Sequence, residues 1–290
     1  MTVTSGASTT TGVAVVGGGT MGRGIAYVFA AAGLPTTVVE PDAARADALV
    51  GELTERARTG AAKGRLDPAA AERLPGLLDV VGDVGALASG LDLVVESVPE
   101  IPGLKAEVLA AAEARRPALL ATNTSSISID ALAAGLGRPA DFVGMHFFNP
   151  VWSLPLVEVV RGAASAEEAV STAQRYATTI GKESIVVRDV PGFATSRLDN
   201  IAAFEAMRMV EEEVASAEDI DKAAVLAYGH PIGPLRLSDV VGLDVRLDIA
   251  HHLSGVYGER YAAPAILRRL VAQGHLGRKS GQGFYAWPQR

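Results

Sequence analysis

From position 13 to 33 the chain reads VAVVGGGTMGRGIAYVFAAAG: a β-branched run, a cluster of glycines, then an alanine-rich stretch with helical spacing. Few local patterns restrict a fold as tightly. Gly17, Gly19 and Gly22 fall at the spacing G-x-G-x-x-G, and each lacks a side chain for its own reason. A side chain at Gly17 would obstruct the turn from strand into helix. One at Gly19 would collide with a diphosphate lying on bare backbone at the helix N-terminus. One at Gly22 would hold helix and strand apart. Thr20 and Met21 complete the loop and join the glycines as candidate cofactor-binding residues. Glycine-rich turns are common, so the context carries the reading: a strand before, a helix after, and an acid at the end of the next strand. That acid is Glu40, about twenty residues beyond the central glycine. A carboxylate there accepts hydrogen bonds from both hydroxyls of an adenosine ribose and repels a 2′-phosphate, which favours NAD over NADP. The competing reading is a structural glycine turn with a solvent-exposed Glu40.

The rest of the chain extends the same logic. Apolar strand-like runs occupy 13–16, 37–40, 78–81, 91–96, 119–123 and 142–146, then 156–160 and 184–187. Helical spacing fills 21–32, 43–62, 104–114 and 166–180 between them. This alternation predicts an α/β fold with a Rossmann-type, doubly wound parallel sheet. Strands after Phe142 can add in either direction. The character changes at Asp189-Val190-Pro191-Gly192. Beyond it no strand stands out, and 193–215, 217–228, 235–257 and 264–272 all have helical spacing. Ser216, followed by Glu218 and Asp219, has the form of an N-cap with acids in the first turn. The expected organisation is a disordered polar tail over 1–11, an NAD-binding domain over 12–189 and an all-α C-terminal domain over 190–290.

Composition excludes several classes of function. The 290 residues carry a formal net charge of −7 and no long basic run, a poor match to nucleic acid. The chain has no cysteine, so disulfides, thiolate catalysis and cysteine-ligated metals are ruled out. No apolar run has the length of a membrane span, and the N-terminus lacks the basic start and apolar core of a signal peptide. The expected location is the cytoplasm. His251, His252 and His275 show no metal spacing with carboxylates, and no metal is expected.

The second informative segment is Gly144-Met145-His146-Phe147-Phe148-Asn149-Pro150, followed by Leu156-Val157-Glu158-Val159-Val160. His146 ends a strand, the place where open α/β sheets bind ligands. Glu158, with Val on both sides, is costly to bury without a partner, and His146 is the candidate partner. A carboxylate on one ring nitrogen fixes the tautomer and stabilises the imidazolium, so the other nitrogen can take a proton from an alcohol. Proton removal coupled to hydride loss is the demand of an alcohol dehydrogenase. The alternative is a satisfied structural His and an outward-facing Glu on an amphipathic strand. A third segment, Thr122-Asn123-Thr124-Ser125-Ser126, either caps a helix or holds a substrate hydroxyl or the nicotinamide ring. His230, between Gly229 and Pro231, reads as a turn or helix-end residue.

Taken in order, GGGTMGRGIA, ESVPE, NTSSISI, GMHFFNP, LVEVVRG, DVPGF, EDIDKA, GHPIGPL, DVVGLDVRLDI and LGRKSGQGFY resemble the 3-hydroxyacyl-CoA dehydrogenase family, and within it the bacterial 3-hydroxybutyryl-CoA branch. The resemblance runs from about Gly12 to Trp287. It implies His146 as catalytic base, Glu158 as its carboxylate partner, Ser125 on the substrate's 3-hydroxyl or ketone oxygen, and Asn149 shaping the active site. Glu100, Lys105 and Asn123 would lie toward the nicotinamide end of the cofactor. Lys63 and Arg65 fall where the family sets basic residues toward CoA, although a solvated basic helix end reads equally well. The resemblance also implies a homodimer formed through the C-terminal domain, which closes over the first.

Two departures bear on the substrate. The family often has Asn in PGF-x-x-N-R, where this chain has Ser196, a shorter substrate-side donor. Val151-Trp152-Ser153-Leu154-Pro155 replaces NPVPVMKLVE-type residues, with Pro155 in place of a Lys and Trp152 adding bulk. The implied substrate is a short-chain (S)-3-hydroxyacyl-CoA. The same chemistry on a carrier-protein-bound hydroxyacyl group or a small hydroxy acid is the alternative, and a non-catalytic NAD-binding protein is a further one.

Overall fold

The computed structural model describes residues 12–288; the expected tail over 1–11 lies outside them. The chain divides after Val190 into two units. The first holds one eight-stranded sheet in the order β3-β2-β1-β4-β5-β6-β7-β8. Its strands are β1 (Val13–Val16), β2 (Thr36–Val39), β3 (Leu78–Val81), β4 (Leu93–Glu96), β5 (Leu119–Thr122), β6 (Phe142–Phe147), β7 (Leu156–Arg161) and β8 (Glu183–Arg188). The helices are α1 (Thr20–Ala31), α2 (Ala43–Ala62), α3 (Pro68–Arg73), α4 (Pro102–Glu113), α5 (Ile129–Ala133) and α6 (Glu167–Thr179).

Strands β1 to β6 pair in parallel across the sheet, and β1, β4, β5 and β6 are buried at every position. Their Val- and Leu-rich sequences follow from that double-sided burial. Ile25 and Phe29 of α1, with Leu49 and Leu53 of α2, fill one layer of the core. The strand order reverses between β1 and β4, which opens a crevice at their carboxyl ends. The two added strands differ in direction: β7 is antiparallel to β6, and β8 is parallel to β7. The antiparallel reversal sets His146 directly opposite Glu158.

The loop between β6 and β7 is held from inside the unit. Lys182 is buried, and its Nζ donates to the carbonyls of Val151 and Leu154, both at 2.6 Å. Burial without a carboxylate on this ammonium lowers its pKa. The same loop approaches α1 closely, and a Cβ at Gly24 would stand 2.8 Å from the Val151 side chain.

The second unit contains α7 (Thr195–Glu211), α8 (Ala217–Tyr228), α9 (Pro234–Val241), α10 (Leu243–Tyr257) and α11 (Ala265–Ala272) around Phe204, Met207, Leu235, Leu253 and Leu267. Two carboxylates organise it. Asp221 accepts from the N–H groups of Leu235 and Arg236 and from the Tyr285 hydroxyl. Asp239 accepts from Phe284 and Tyr285 N–H and from Trp287 Nε1. Ser216 caps α8 by accepting from Asp219 N–H. Arg246 is buried beside Asp199 and Asn200, and its Nε and Nη2 have no hydrogen-bond partner among the described residues.

Three elements depart from the sequence expectation. The single helix over 235–257 is two helices, broken at Gly242, whose φ of 109° suits glycine alone. The short helices α3 and α5 lie in stretches too brief for a helical period to emerge.

Candidate active site

A cavity of about 860 Å³ opens at the carboxyl ends of the parallel strands. Its floor at one end is the glycine loop. Gly17 has φ 108°, and its N–H donates to Val39 O at 2.9 Å, which ties the turn to β2. A Cβ at Gly17 would come within 2.7 Å of Ser97 O, and one at Gly22 within 1.7 Å of Gly17 O. Those two positions are closed by backbone. Gly19 is the reverse case: an added Cβ meets nothing within 4 Å. Gly19 also caps α1 without a side-chain hydrogen bond, so the positive end of a twelve-residue helix faces that open space. Glycines closed on the protein side and open on the cavity side fit a dinucleotide diphosphate. Thr20 and Met21 line the same wall.

Glu40 stands just past β2 and is only 3% exposed. Its Oε1 accepts from Asp42 N–H at 2.9 Å and from Arg45 Nη2 at 2.8 Å. Burial by itself would raise this carboxyl. The Arg45 hydrogen bond and charge, with the Asp42 and Gly18 N–H groups, outweigh it and hold the pKa below the ordinary carboxylate value.

The other end of the cavity is denser in polar bonds. Glu96, fully buried at the tip of β4, accepts from Lys105 Nζ at 2.8 Å, Val98 N–H at 2.6 Å and Thr122 Oγ1 at 2.5 Å. Lys105 Nζ also donates to Val98 O at 3.2 Å and lies 3.3 Å from Glu100 Oε2. Glu100 Oε1 in turn accepts from Thr124 Oγ1 at 2.5 Å and from Ser125 N–H at 3.0 Å. The N–H and Oγ of Ser126 donate to it as well. Burial would raise Glu100, but the Thr124 hydroxyl, the Lys105 charge and the Ser125 and Ser126 donors together lower it. Asn123 links neighbouring strand ends, because its Oδ1 accepts from Phe147 N–H at 2.9 Å.

His146 and Glu158 form the cross-strand pair. Nδ1 of His146 lies 2.8 Å from Glu158 Oε2; Glu158 is fully buried and His146 is 8% exposed. His146 lines the cavity with Ser125, Asn123, Glu100 and Asn149. Phe148 tilts against the imidazole at a centroid distance of 4.4 Å. Such a pair can hold one tautomer and stabilise positive charge on the ring.

Other candidates have surroundings of their own. Lys105 is not on the cavity wall: it is 1% exposed and its ammonium is spent on Glu96, Val98 O and Glu100. Its ammonium stands beneath Glu100 as a support. Lys63 and Arg65 line a different recess of about 770 Å³, with Arg56, Tyr27 and Trp152. There the Arg56 guanidinium lies 3.5 Å over the Trp152 ring. Ser196 belongs to the helical unit, in the first turn of α7, where its carbonyl accepts from Asn200 Nδ2 at 2.7 Å. Sequence reasoning missed Glu96, Arg45 and Lys182. Glu96 carries the same signal as Glu40, an acid behind two valines at a strand end. Arg45 and Lys182 carry none, since each acts through a tertiary contact.

Comparison with known proteins agrees with this geometry. Residues 12–190 match the family model of the 3-hydroxyacyl-CoA dehydrogenase NAD-binding domain, and residues 192–287 match that of the C-terminal domain. A 3-hydroxybutyryl-CoA dehydrogenase of Mycobacterium tuberculosis is 41% identical over 280 residues, spanning 95% of this chain and 98% of its own. The crystal structure of an (S)-3-hydroxybutyryl-CoA dehydrogenase from Ralstonia eutropha superposes with a TM-score of 0.90 at 34% identity, over 96% of this chain and 99% of that one. The fatty acid oxidation complex subunit alpha of Pseudomonas entomophila is 40% identical over 288 residues, 94% of this chain but 38% of the longer relative.

Proposed function

The chain belongs to the 3-hydroxyacyl-CoA dehydrogenase family, a family of NAD-dependent oxidoreductases, and on that premise we propose that it oxidises (S)-3-hydroxybutyryl-CoA and similar short-chain thioesters to the 3-oxoacyl-CoA, reversibly. The observation that carries this reading is the buried His146–Glu158 pair on the wall of a cavity whose floor is a bare glycine loop.

Each residue then has a task. Gly17, Gly19 and Gly22, with Thr20 and Met21, hold the diphosphate, and Glu40 holds the adenosine ribose. NAD, when bound, supplies the acceptor for the hydride from C3. His146 takes the hydroxyl proton at Nε2, because Glu158 engages Nδ1 and stabilises the imidazolium that forms. Ser125 donates to the C3 oxygen, and Glu100 fixes the Ser125–Ser126 turn through its backbone N–H groups. Asn123 and Asn149 set the nicotinamide end. Lys63 and Arg65 receive the anionic end of CoA. In the reverse direction His146 returns the proton.

The helical unit carries exposed apolar side chains, among them Leu198, Leu226, Tyr228 and Val256, and these support a homodimer through that unit. No helix among the described residues is long and apolar enough to cross a membrane, in keeping with a cytoplasmic enzyme. The direct test mixes the purified protein with NAD and the (S)- or (R)-thioester and follows NADH absorbance, with acetoacetyl-CoA and NADH as the reverse assay. Turnover of the (S) form and of acetoacetyl-CoA is expected. Tight NAD binding with no turnover of either thioester overturns the reading.

A further inference from the structure

The recess that holds Lys63 and Arg65 has an uneven lining. Arg56 brings a third cation to it, and no carboxylate stands on its wall among the described residues. Its broadest ring is Trp152, which meets Tyr27 edge to face at a centroid distance of 6.3 Å and lies under the Arg56 guanidinium. Trp152 stands on a segment that does little to hold itself. Residues 149–155 belong to no strand or helix and include two prolines, which have no N–H to give. A single turn closes on Pro150 O, which accepts from Ser153 and Leu154 N–H at 3.0 and 3.1 Å. The hold on that turn comes from elsewhere. Lys182 follows the end of α6, where its N–H donates back to Ala177 O at 2.9 Å. From this anchored backbone its buried ammonium reaches Val151 O and Leu154 O, the two carbonyls that bracket Trp152 and Ser153. Both bracketed residues line the recess.

We propose that Lys182 is a positioning residue for the distal end of the substrate: by clamping the turn at 150–154 it holds Trp152 as the wall against which the nucleotide end of a CoA thioester is placed. This rests on the reading of Lys63 and Arg65 as the anionic site. The clamp acts on that end alone. His146 and Glu158 are set by the β6–β7 ladder, and the glycine loop is tied to β2 through Gly17 N–H; neither hold passes through Lys182. The acceptors of the ammonium are backbone oxygens, so the clamp does not depend on which side chains the turn carries. What it fixes is the place of the indole, and the indole, with Arg56 over it, sets the width of the recess beside Lys63 and Arg65. Removing the ammonium leaves two carbonyls without their donor and frees the turn to shift, while the reacting atoms keep their own supports.

The experiment compares Lys182→Met with the wild type on two substrates: acetoacetyl-CoA, and the N-acetylcysteamine thioester of acetoacetate, which has the same acyl group and no nucleotide. KM and kcat are read for each, with NADH affinity by calorimetry. Lys182→Met is expected to raise KM for acetoacetyl-CoA by a factor on the order of 10, the scale of one hydrogen bond to a charged group. It should leave kcat and NADH affinity near the wild-type values, the mark of lost uniform binding. With the truncated thioester neither constant should move. In a Trp287→Phe background Trp152 is the remaining tryptophan, and there Lys182→Met should shift the emission to the red and increase its quenching by acrylamide. A fall in kcat with both thioesters overturns the proposal, because Lys182 then supports the reacting end as well. An unchanged Trp152 emission overturns it too, because the wall then stands without the clamp. If the wild type shows the same KM for both thioesters, the anionic site at Lys63 and Arg65 falls and the proposal with it; no turnover of either thioester sinks the dehydrogenase reading itself. Lys182→Gln, a shorter neutral donor, repeats the comparison should the Met variant not fold.

Discussion

The first unit sets two glutamates against two cations, and the pairs behave as opposites. Glu96 and Lys105 are 0% and 1% exposed, and both carboxylate oxygens of Glu96 are bonded, one to Lys105 and the Val98 N–H and the other to Thr122. Glu40 is as deeply placed, but its partner Arg45 is 61% exposed. The first pair is locked beneath the His146 end of the cavity, the second stands loose at the glycine-loop end. On the proposed reading, the difference follows from what each end would do. Hydride and proton transfer need atoms held to a fraction of an ångström. Holding a ribose needs only an acceptor of the right sign. Rigidity is concentrated where the geometry of a reaction demands it.

The largest effect expected from breaking this contrast lies at the reacting end. His146→Ala should lower turnover by about 10²- to 10⁴-fold, the usual contribution of a general base, while NADH binding measured by calorimetry stays intact. Turnover at the wild-type rate would reassign the base. Next, Lys105→Met leaves the buried Glu96 carboxylate without its cation, and urea denaturation should show a loss of about 3–5 kcal/mol. Adding Glu96→Gln to that variant should restore part of it; no restoration would mean that packing, not charge, is what Lys105 supplies.

A smaller effect concerns acid stability. Glu100 has its folded pKa held below the ordinary value of 4.5. It therefore contributes stability that is present above 4.5 and is lost as pH falls through the lower, folded value. The melting temperature of Glu100→Gln should accordingly fall less steeply between pH 5 and pH 3, in round numbers of about that range, than that of the wild type. Parallel curves would remove Glu100 as a linked group. The smallest effect belongs to the loose pair. Arg45→Ala should leave the melting temperature almost where it was, because an exposed guanidinium adds little to a carboxylate with backbone donors of its own. A loss matching that of Lys105→Met would erase the contrast drawn above.

Much of the fold was legible because it rests on local patterns. The glycine loop, the valine-rich strands and the change of character at Asp189 are all short-range signals, and they lead to the sheet and the helical unit observed. What escaped was set by long-range structure. The strand directions after Phe142 depend on which edge accepts the next strand. The break at Gly242 hides in a helical period that continues on both sides. Within the site, His146 and Glu158 were visible as a polar residue and an acid among apolar neighbours, and their 2.8 Å separation follows from register. The partners of Lys105 were not legible, because a motif names a residue and not the direction of its side chain. Lys182 was invisible, since its carbonyl partners lie far back in the sequence.

The reversal between β6 and β7 has one more consequence. His146 and Glu158 are fixed by the ladder of a sheet and not by the loop that joins the strands. Beyond Phe148, whose ring leans on the imidazole, that loop, which carries Trp152, can change composition without altering the register that sets the pair. On the proposed reading, the outer part of that loop and the pair that would handle the proton are thereby anchored separately, so the one can drift in sequence while the other is inherited whole.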